Sequence, residues 1–258
     1  MRKRDWERTI TNGLTVIALL ILLFGSFAAE DTMIARVFQN TASDTILLDP
    51  GHGGMDGGAV SAAGVSEKNI NLAIALKVRD LARADGWHVA MTREKDEGLY
   101  GERDRRTIRS LKVEDLKQRR EIIKTLQPAL VVSIHLNSFK EDRSVHGAQS
   151  FYPGQGQDGE ILEQSRLLAE SIQRNLIAGI ADGTDRVALP KKGVLLLKDP
   201  LVPTVIVECG FLSNREEASR LSEEEYQKLL ASCIYLGIKE HTGWKGLTDL
   251  SIVDSVTQ

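Results

Sequence analysis

The sequence predicts one α/β domain, in which helices flank a mostly parallel or mixed twisted sheet. Two observations support this prediction. Short apolar or β-branched runs alternate along the chain with longer stretches of helical periodicity, an order typical of strands and helices packed in layers. The chain has 258 residues, 42% of them hydrophobic, which is enough for a single domain with a full core.

The alternation places each element in turn. Strands are predicted at 45–48, 87–92, 130–134, 194–197 and 204–207. Helices are predicted at 67–85, 113–126, 159–180 and 223–241. Ser66 directly precedes the first helix and is the residue type that favours an N-cap position.

The N-terminus has the layout of an export segment. Basic residues in the first eight positions precede an uncharged apolar run at 14–24, which ends in the mostly small residues 25–29. This order is typical of a secretory signal peptide, and an uncleaved membrane anchor has the same features. Because the basic flank stays in the cytoplasm, we expect the rest of the chain to be exported, either secreted or membrane-associated through this segment alone.

Composition along the chain suggests boundaries. We predict a signal peptide or membrane anchor at 1–29, a polar linker at 30–43, the folded domain at 44–243 and a C-terminal tail at 244–258. The 33 Lys and Arg residues are balanced by 36 Asp and Glu residues, so we expect no nucleic-acid partner. Cys209 and Cys233 are compatible with one disulfide but are more simply interpreted as two buried free thiols.

A charged stretch at 94–121 stands apart from the rest of the domain. It contains six arginines among acidic residues, at positions 103, 105, 106, 109, 119 and 120. The plain interpretation is a solvated loop and helix face. The alternative is a region that binds a substrate carboxylate or a partner, because guanidinium groups bind carboxylates with two parallel hydrogen bonds.

Three predicted strands run into side chains that can bind a metal or move a proton. His52 follows the first strand in a glycine-rich loop, His135 follows 131–134, and Glu208 follows 205–207. In open α/β sheets, ligands bind beyond the carboxyl ends of the strands, so these side chains are expected to converge. Glu67, in the first turn of the next helix, is placed to join them.

Two histidines and one carboxylate form a known catalytic zinc set, which leaves a fourth position for water. Glu208 is then available to carry a proton, since a carboxylate inside an apolar run needs a partner or a purpose. Each residue also has a structural interpretation. A strand-end histidine is often simply hydrogen-bonded, and Glu67 suits the helix dipole. The same donor set also suits a mononuclear iron oxygenase.

A thiolate nucleophile at Cys209 is the rival chemistry. Its apolar neighbours would raise the thiol pKa, so we interpret Cys209 as a packing residue. Asn137, two residues after His135, is interpreted either as a turn residue or as a group that orients a ligand or donates to substrate.

Taken together, these residues resemble the zinc-dependent N-acetylmuramoyl-L-alanine amidases of the Amidase_3 type. The matching stretches are Leu48-Asp49-Pro50-Gly51-His52-Gly53-Gly54, Asp56-Gly57-Gly58-Ala59, Ser66-Glu67-Lys68, Thr92-Arg93, Ser133-Ile134-His135-Leu136-Asn137 and Val207-Glu208-Cys209-Gly210-Phe211-Leu212-Ser213-Asn214. They occur in the expected order from about residue 45 to residue 241.

The resemblance implies a phosphorylase/hydrolase-like fold and one zinc ion held by His52, Glu67 and His135. It further implies that Glu208 is the catalytic carboxylate and that the cleaved bond joins the lactyl group of N-acetylmuramic acid to L-alanine in peptidoglycan. Asn137 and Arg93, which lie in matching stretches, are candidate substrate contacts.

The predicted layout of an export segment and a lone catalytic domain is similar to the spore-cortex subgroup of these amidases. That likeness implies a role on the forespore or cortex side, in the removal of stem peptides before muramic-δ-lactam forms, with an accessory activator protein as a candidate partner. A zinc metallopeptidase acting on the stem peptide and a non-catalytic wall-binding module are the alternatives.

Overall fold

A computed structural model describes residues 44–101 and 107–245 of the chain. Six strands form one sheet: β1 (Thr45–Pro50), β2 (His88–Met91), β3 (Leu130–Asn137), β4 (Gln149–Pro153), β5 (Leu189–Lys191) and β6 (Thr204–Phe211). The α-helices in these ranges are α1 (Glu67–Ala84), α2 (Ile108–Leu126), α3 (Gly159–Ile180), α4 (Arg215–Leu221) and α5 (Glu224–Thr242).

The sheet is mixed, with the strand order β2-β1-β3-β6-β4-β5. Strands β2, β1, β3 and β6 are parallel to one another, β4 is antiparallel to β6, and β5 is parallel to β4. The predicted fold class, one α/β domain with a mostly parallel or mixed sheet between helices, is confirmed.

Alternating side chains of the central strands enter two cores. Ile46 and Leu48 of β1 belong to the larger core, which α1, α3 and α5 cover. Leu47 points to the other face, where it joins Ile123 of α2 in a smaller core. Because both faces are covered, the central strands consist of nearly continuous apolar residues, as expected for buried parallel strands.

The predicted strand at 194–197 is wrong. Residues Leu195–Leu197 form a 3-10 helix, and Leu196 and Leu197 are buried in the smaller core. A short apolar run does not reveal its conformation through periodicity alone. Strands β4 and β5 and helix α4 were not predicted, and α2 begins at Ile108, where Thr107 accepts a hydrogen bond from the Ser110 amide as its N-cap.

Several predictions fall on residues that the structure does not describe. The export segment at 1–29, the linker at 30–43 and most of the tail at 244–258 lie outside the described residues and stay predictions. Trp244, the first residue of the predicted tail, packs on Trp87 with ring centroids 4.3 Å apart. Of the helices in the described ranges, none is both long and apolar enough to cross a membrane.

The cysteines are free thiols, as the sequence suggested. Cys209 and Cys233 are both buried in the larger core and form no disulfide. Burial raises the pKa of the Cys209 thiol well above its usual range, which disfavours the reactive thiolate. Cys209 therefore serves as a packing residue.

A buried ion pair connects β1 to α2. Asp49 is 1% exposed and accepts hydrogen bonds from Thr92 Oγ1 and Ser133 Oγ, both at 2.7 Å. Arg119 of α2 pairs with the same carboxylate and also with Asp115 at 2.6 Å. Burial alone raises the pKa of Asp49, but Arg119 and the two hydroxyl groups outweigh it and lower that pKa to about 2.

This pairing partly corrects both interpretations of the charged stretch at 94–121. Arg119 is neither solvated nor free for a substrate, because it binds carboxylates of the protein itself. Arg109 is exposed and Arg120 is half-buried, whereas positions 103, 105 and 106 lie outside the described residues.

We predict that Arg119→Met strongly destabilises the domain. The substitution keeps an apolar stem but leaves the Asp49 carboxylate buried without its cation, which costs about 3–5 kcal/mol. Urea unfolding of the full chain measures this loss, and Lys117→Met, at an exposed position of the same helix, serves as the control. A loss below about 1 kcal/mol in the Arg119 variant contradicts the prediction.

Candidate metal centre

The structure brings together the three predicted metal ligands. His52 lies in the loop after β1, Glu67 is the first residue of α1, and His135 lies near the carboxyl end of β3. Each offers one ligand atom, and these atoms all lie within 4.8 Å of one another. The placement follows the expectation that side chains at neighbouring strand ends converge.

Glycines allow the loop after β1 to wrap closely around the centre. A Cβ atom at Gly51 would overlap the His135 ring, and one at Gly58 would meet the Glu67 carboxylate. His52 itself has a φ of 61°, in the left-handed region that non-glycine residues seldom adopt. With this backbone conformation, the His52 imidazole lies 3.2 Å from the Glu67 carboxylate.

Both imidazoles face the same carboxylate oxygen. Glu67 Oε1 lies 3.2 Å from His52 Nε2 and 3.1 Å from His135 Nδ1. The two rings meet edge to face, with centroids 4.9 Å apart. Glu67 is 3% exposed, and backbone amides fix its oxygens, Ala59 N on Oε2 at 2.8 Å and Leu136 N on Oε1 at 3.0 Å.

The carboxylates around His52 favour a positive charge on or beside its imidazole. Burial alone lowers the pKa of His52, but hydrogen bonds and charges from Asp56 and Glu67 outweigh it and raise that pKa to about 9. Burial alone raises the pKa of Glu67, but His135 and His52 hold it far below its usual range. An ionised carboxylate between two imidazoles is a donor set that suits zinc.

Further side chains, which the sequence analysis did not single out, orient the ligands. Asp56 Oδ2 lies 2.8 Å from His52 Nδ1, on the opposite side of the ring from Glu67. Asn71 Nδ2 donates to Glu67 Oε1 at 3.2 Å and to the Gly51 carbonyl at 3.3 Å. For Asn71 the available signal was spacing, since it lies one helical turn after Glu67. Asp56 lies with His52 in a loop, where spacing gives no such signal.

Glu208 lies beside the cluster, in register with His135 on the neighbouring strand. The two side chains share a cleft of about 380 Å³ with His52 and Glu67. Glu208 is 9% exposed, and its Oε1 lies 3.1 Å from Lys191 Nζ. Its buried Oε2 has no hydrogen-bond partner within the described part of the chain. A buried carboxylate oxygen without a partner is uncommon in folded proteins and requires an explanation.

The two candidate substrate contacts are close to the metal centre but are not among the residues that line the cleft. Arg93 is 2% exposed, and its guanidinium donates to the backbone carbonyls of Pro50, Gly51, Lys68 and Lys95. Asn137 is half-buried, and its Oδ1 accepts from the Ser138 amide at 2.8 Å. Both side chains contact the backbone of loops near the cleft, and substrate contact by either remains a prediction.

Fold and site together define a class of protein: an α/β domain whose cleft holds two histidines and a carboxylate that could bind a metal ion, beside a further buried carboxylate. More particularly, the chain belongs to the N-acetylmuramoyl-L-alanine amidase family, whose model matches residues 46–240. The chain is therefore an enzyme of this family, and the resemblance found in the sequence is confirmed.

Individual relatives agree with this assignment. The germination-specific N-acetylmuramoyl-L-alanine amidase of Bacillus subtilis is 39% identical over 201 residues, which are 78% of this chain and 81% of the relative. LytC of the same organism is 30% identical over 84% of this chain, a match that spans 39% of that relative. The CwlD amidase of Clostridioides difficile, solved in complex with the GerS lipoprotein, superposes with a TM-score of 0.72 and 43% identity, covering 77% of this chain and 98% of that one.

We predict that Asp56→Ala weakens metal binding. Without the carboxylate at Nδ1, His52 loses the group that fixes its ring orientation, and the loss of such a partner commonly costs about 10- to 100-fold in metal affinity. Competition with a chromogenic chelator measures the affinity, and Asp80→Ala on the exposed side of α1 is the matched control. Equal affinities in the two variants would contradict the orienting role of Asp56.

Proposed function

We propose that this chain hydrolyses the amide bond between the lactyl group of N-acetylmuramic acid and the L-alanine of the stem peptide in peptidoglycan, with one zinc ion held by His52, Glu67 and His135. One observation carries the proposal. The three candidate ligands converge within 4.8 Å, in the same cleft as the buried carboxylate of Glu208. Membership of the amidase family supplies the reaction class.

The donor set supports zinc as the ion. Two imidazole nitrogens and one carboxylate oxygen are three protein ligands, the number found in catalytic zinc sites that keep a position open. When bound, zinc supplies a Lewis acid that polarises the scissile carbonyl and makes a neighbouring water more acidic. The backbone amides on Glu67 and the carboxylate on His52 hold two of these ligands in place.

Glu208 is the proposed proton carrier. Its carboxylate lines the cleft and has acceptor capacity that no group in the described ranges uses, so it can accept a proton from the attacking water. The water oxygen then forms a bond with the lactyl carbonyl carbon, and the carbon–nitrogen bond breaks. The proton passes from Glu208 to the departing L-alanine nitrogen, which leaves the carboxylate ready for another turnover.

The relatives support a setting for this reaction. The B. subtilis relative is named as germination-specific, and we therefore propose a role in the spore cortex, in removing stem peptides before muramic-δ-lactam forms. The proposed location is extracytoplasmic, with the segment at 1–29 as signal or anchor. Since the C. difficile CwlD amidase was solved with the GerS lipoprotein, we also propose an accessory protein as partner.

We predict that Glu208→Gln abolishes turnover but keeps the metal. The amide preserves size and keeps one acceptor oxygen for Lys191 but cannot carry the proton, a role commonly worth about 100- to 10,000-fold in rate. Mass spectrometry of muropeptides after incubation with the full chain measures the products, and elemental analysis measures the bound zinc. Glu216→Gln, at an exposed position beyond the same strand, is the control.

The product masses also separate the alternatives. Release of intact stem peptide from muramic acid is the expected result for the wild-type chain. Cleavage within the stem peptide would identify a metallopeptidase instead, and no cleavage by the metal-loaded chain would identify a wall-binding module. Normal turnover in the Glu208 variant would remove Glu208 from the proposed mechanism.

We further predict that a strong chelator removes the activity and that added zinc restores it. The chelator removes only the ion and leaves the three ligands on their loop, helix start and strand, so added zinc is expected to restore most of the activity. Activity measured before chelation, after chelation and after zinc addition tests this, with magnesium as the control ion. Persistent activity after complete zinc removal would overturn the metal-dependent mechanism.

A further inference from the structure

The carboxylate of Glu208 is held from one side only. Its Oε1 accepts a hydrogen bond from the Lys191 ammonium at 3.1 Å. Its Oε2 is buried and has no partner in the part of the chain that the structure describes. Within residues 44–101 and 107–245, no other side chain hydrogen-bonds to this carboxylate. Among the described residues, Lys191 is therefore the side chain that restrains the orientation of this carboxylate.

Lys191 reaches Glu208 from across the sheet. It is the last residue of β5, at the sheet edge, and β4 lies between β5 and β6. Phe151 of β4 packs against the smaller core. The Lys191 ammonium lies 4.3 Å from the centroid of the Phe151 ring. The Lys191 ammonium therefore has two partners, the aromatic ring of Phe151 and the carboxylate of Glu208.

The ion pair between Lys191 and Glu208 is largely shielded from solvent. The side chain of Glu208 is 12% exposed and that of Lys191 is 32% exposed. A carboxylate this deeply buried needs a compensating charge, because removal of one partner leaves the other charge uncompensated. Both residues line the cleft that contains His52 and His135, so a shift of this carboxylate moves a group at the reaction centre.

We propose that Lys191 is a positioning residue for the amidase reaction. It binds Glu208 Oε1 and so holds in one orientation the carboxylate that lines the cleft and carries the proton. The inference rests on the proposed function, since it gives Lys191 a role only through Glu208. It also explains why a strand of three residues at the sheet edge matters for the site.

The test compares Lys191→Met, Lys191→Arg and the exposed neighbour Lys192→Met in the full-length, zinc-loaded chain. Kinetics on a soluble muropeptide give kcat and KM separately, and elemental analysis and thermal unfolding report metal content and folding. We expect Lys191→Met to lower kcat about 100-fold, the size of effect that a 1 Å misplacement can have, with KM and zinc content unchanged. Lys191→Arg keeps the charge and is expected to retain most of kcat, and Lys192→Met all of it.

Three outcomes would overturn the proposal. A raised KM with unchanged kcat in Lys191→Met would mean that the ammonium contacts substrate rather than Glu208. Equal losses in the Met and Arg variants would mean that side-chain shape, not charge, is what matters. Unchanged kinetics in Lys191→Met would remove the role altogether, and if the wild-type chain still releases stem peptide, the proposed function stands without it.

Discussion

The site depends on one buried interaction, the ion pair between Asp49 at the end of β1 and Arg119 of α2. Two charges that are each about 2% exposed are costly to remove from water, and the cost is offset only when every remaining hydrogen-bonding group is also satisfied. Here Thr92 and Ser133 complete the shell of Asp49, and Arg119 Nη2 donates to the His52 carbonyl at 2.8 Å. The pair thus fixes where the chain leaves the sheet and how His52 is presented.

The elements of the fold could be predicted where the sequence has a clear hydrophobic pattern. The prediction failed where the pattern is short or ambiguous. Continuous apolar strands and long helices such as α1 and α3 were evident, because burial on both sides of a sheet leaves a strong pattern. Strand β5 lies at the edge of the sheet and has only three residues. Three residues are too few to show a hydrophobic pattern. Leu195–Leu197 has the composition of a buried strand but forms a 3-10 helix, and so short an apolar run does not distinguish the two by periodicity.

The candidate site also has residues that the sequence could place and residues that it could not. His52, His135 and Glu208 could be expected to converge, because each follows an apolar run and parallel strands end at the same edge. Lys191 could not be placed, since its contact with Glu208 depends on the antiparallel insertion of β4 between their strands. Arg119 showed the opposite problem: a charge-rich sequence suggested solvent or ligand, whereas the tertiary structure buries this arginine against Asp49. Burial of a charge depends on partners distant in sequence.

The position of Glu67 as the first residue of α1 couples the candidate ligands to the folding of the domain. Its carboxylate connects the start of an 18-residue helix to the loop that carries His52 and to the central strand that carries His135. An ion bound by all three would bind the native state and not the unfolded chain, so its binding free energy adds to the stability of the fold. In such a domain, bound metal would raise the free energy of unfolding in addition to serving the reaction.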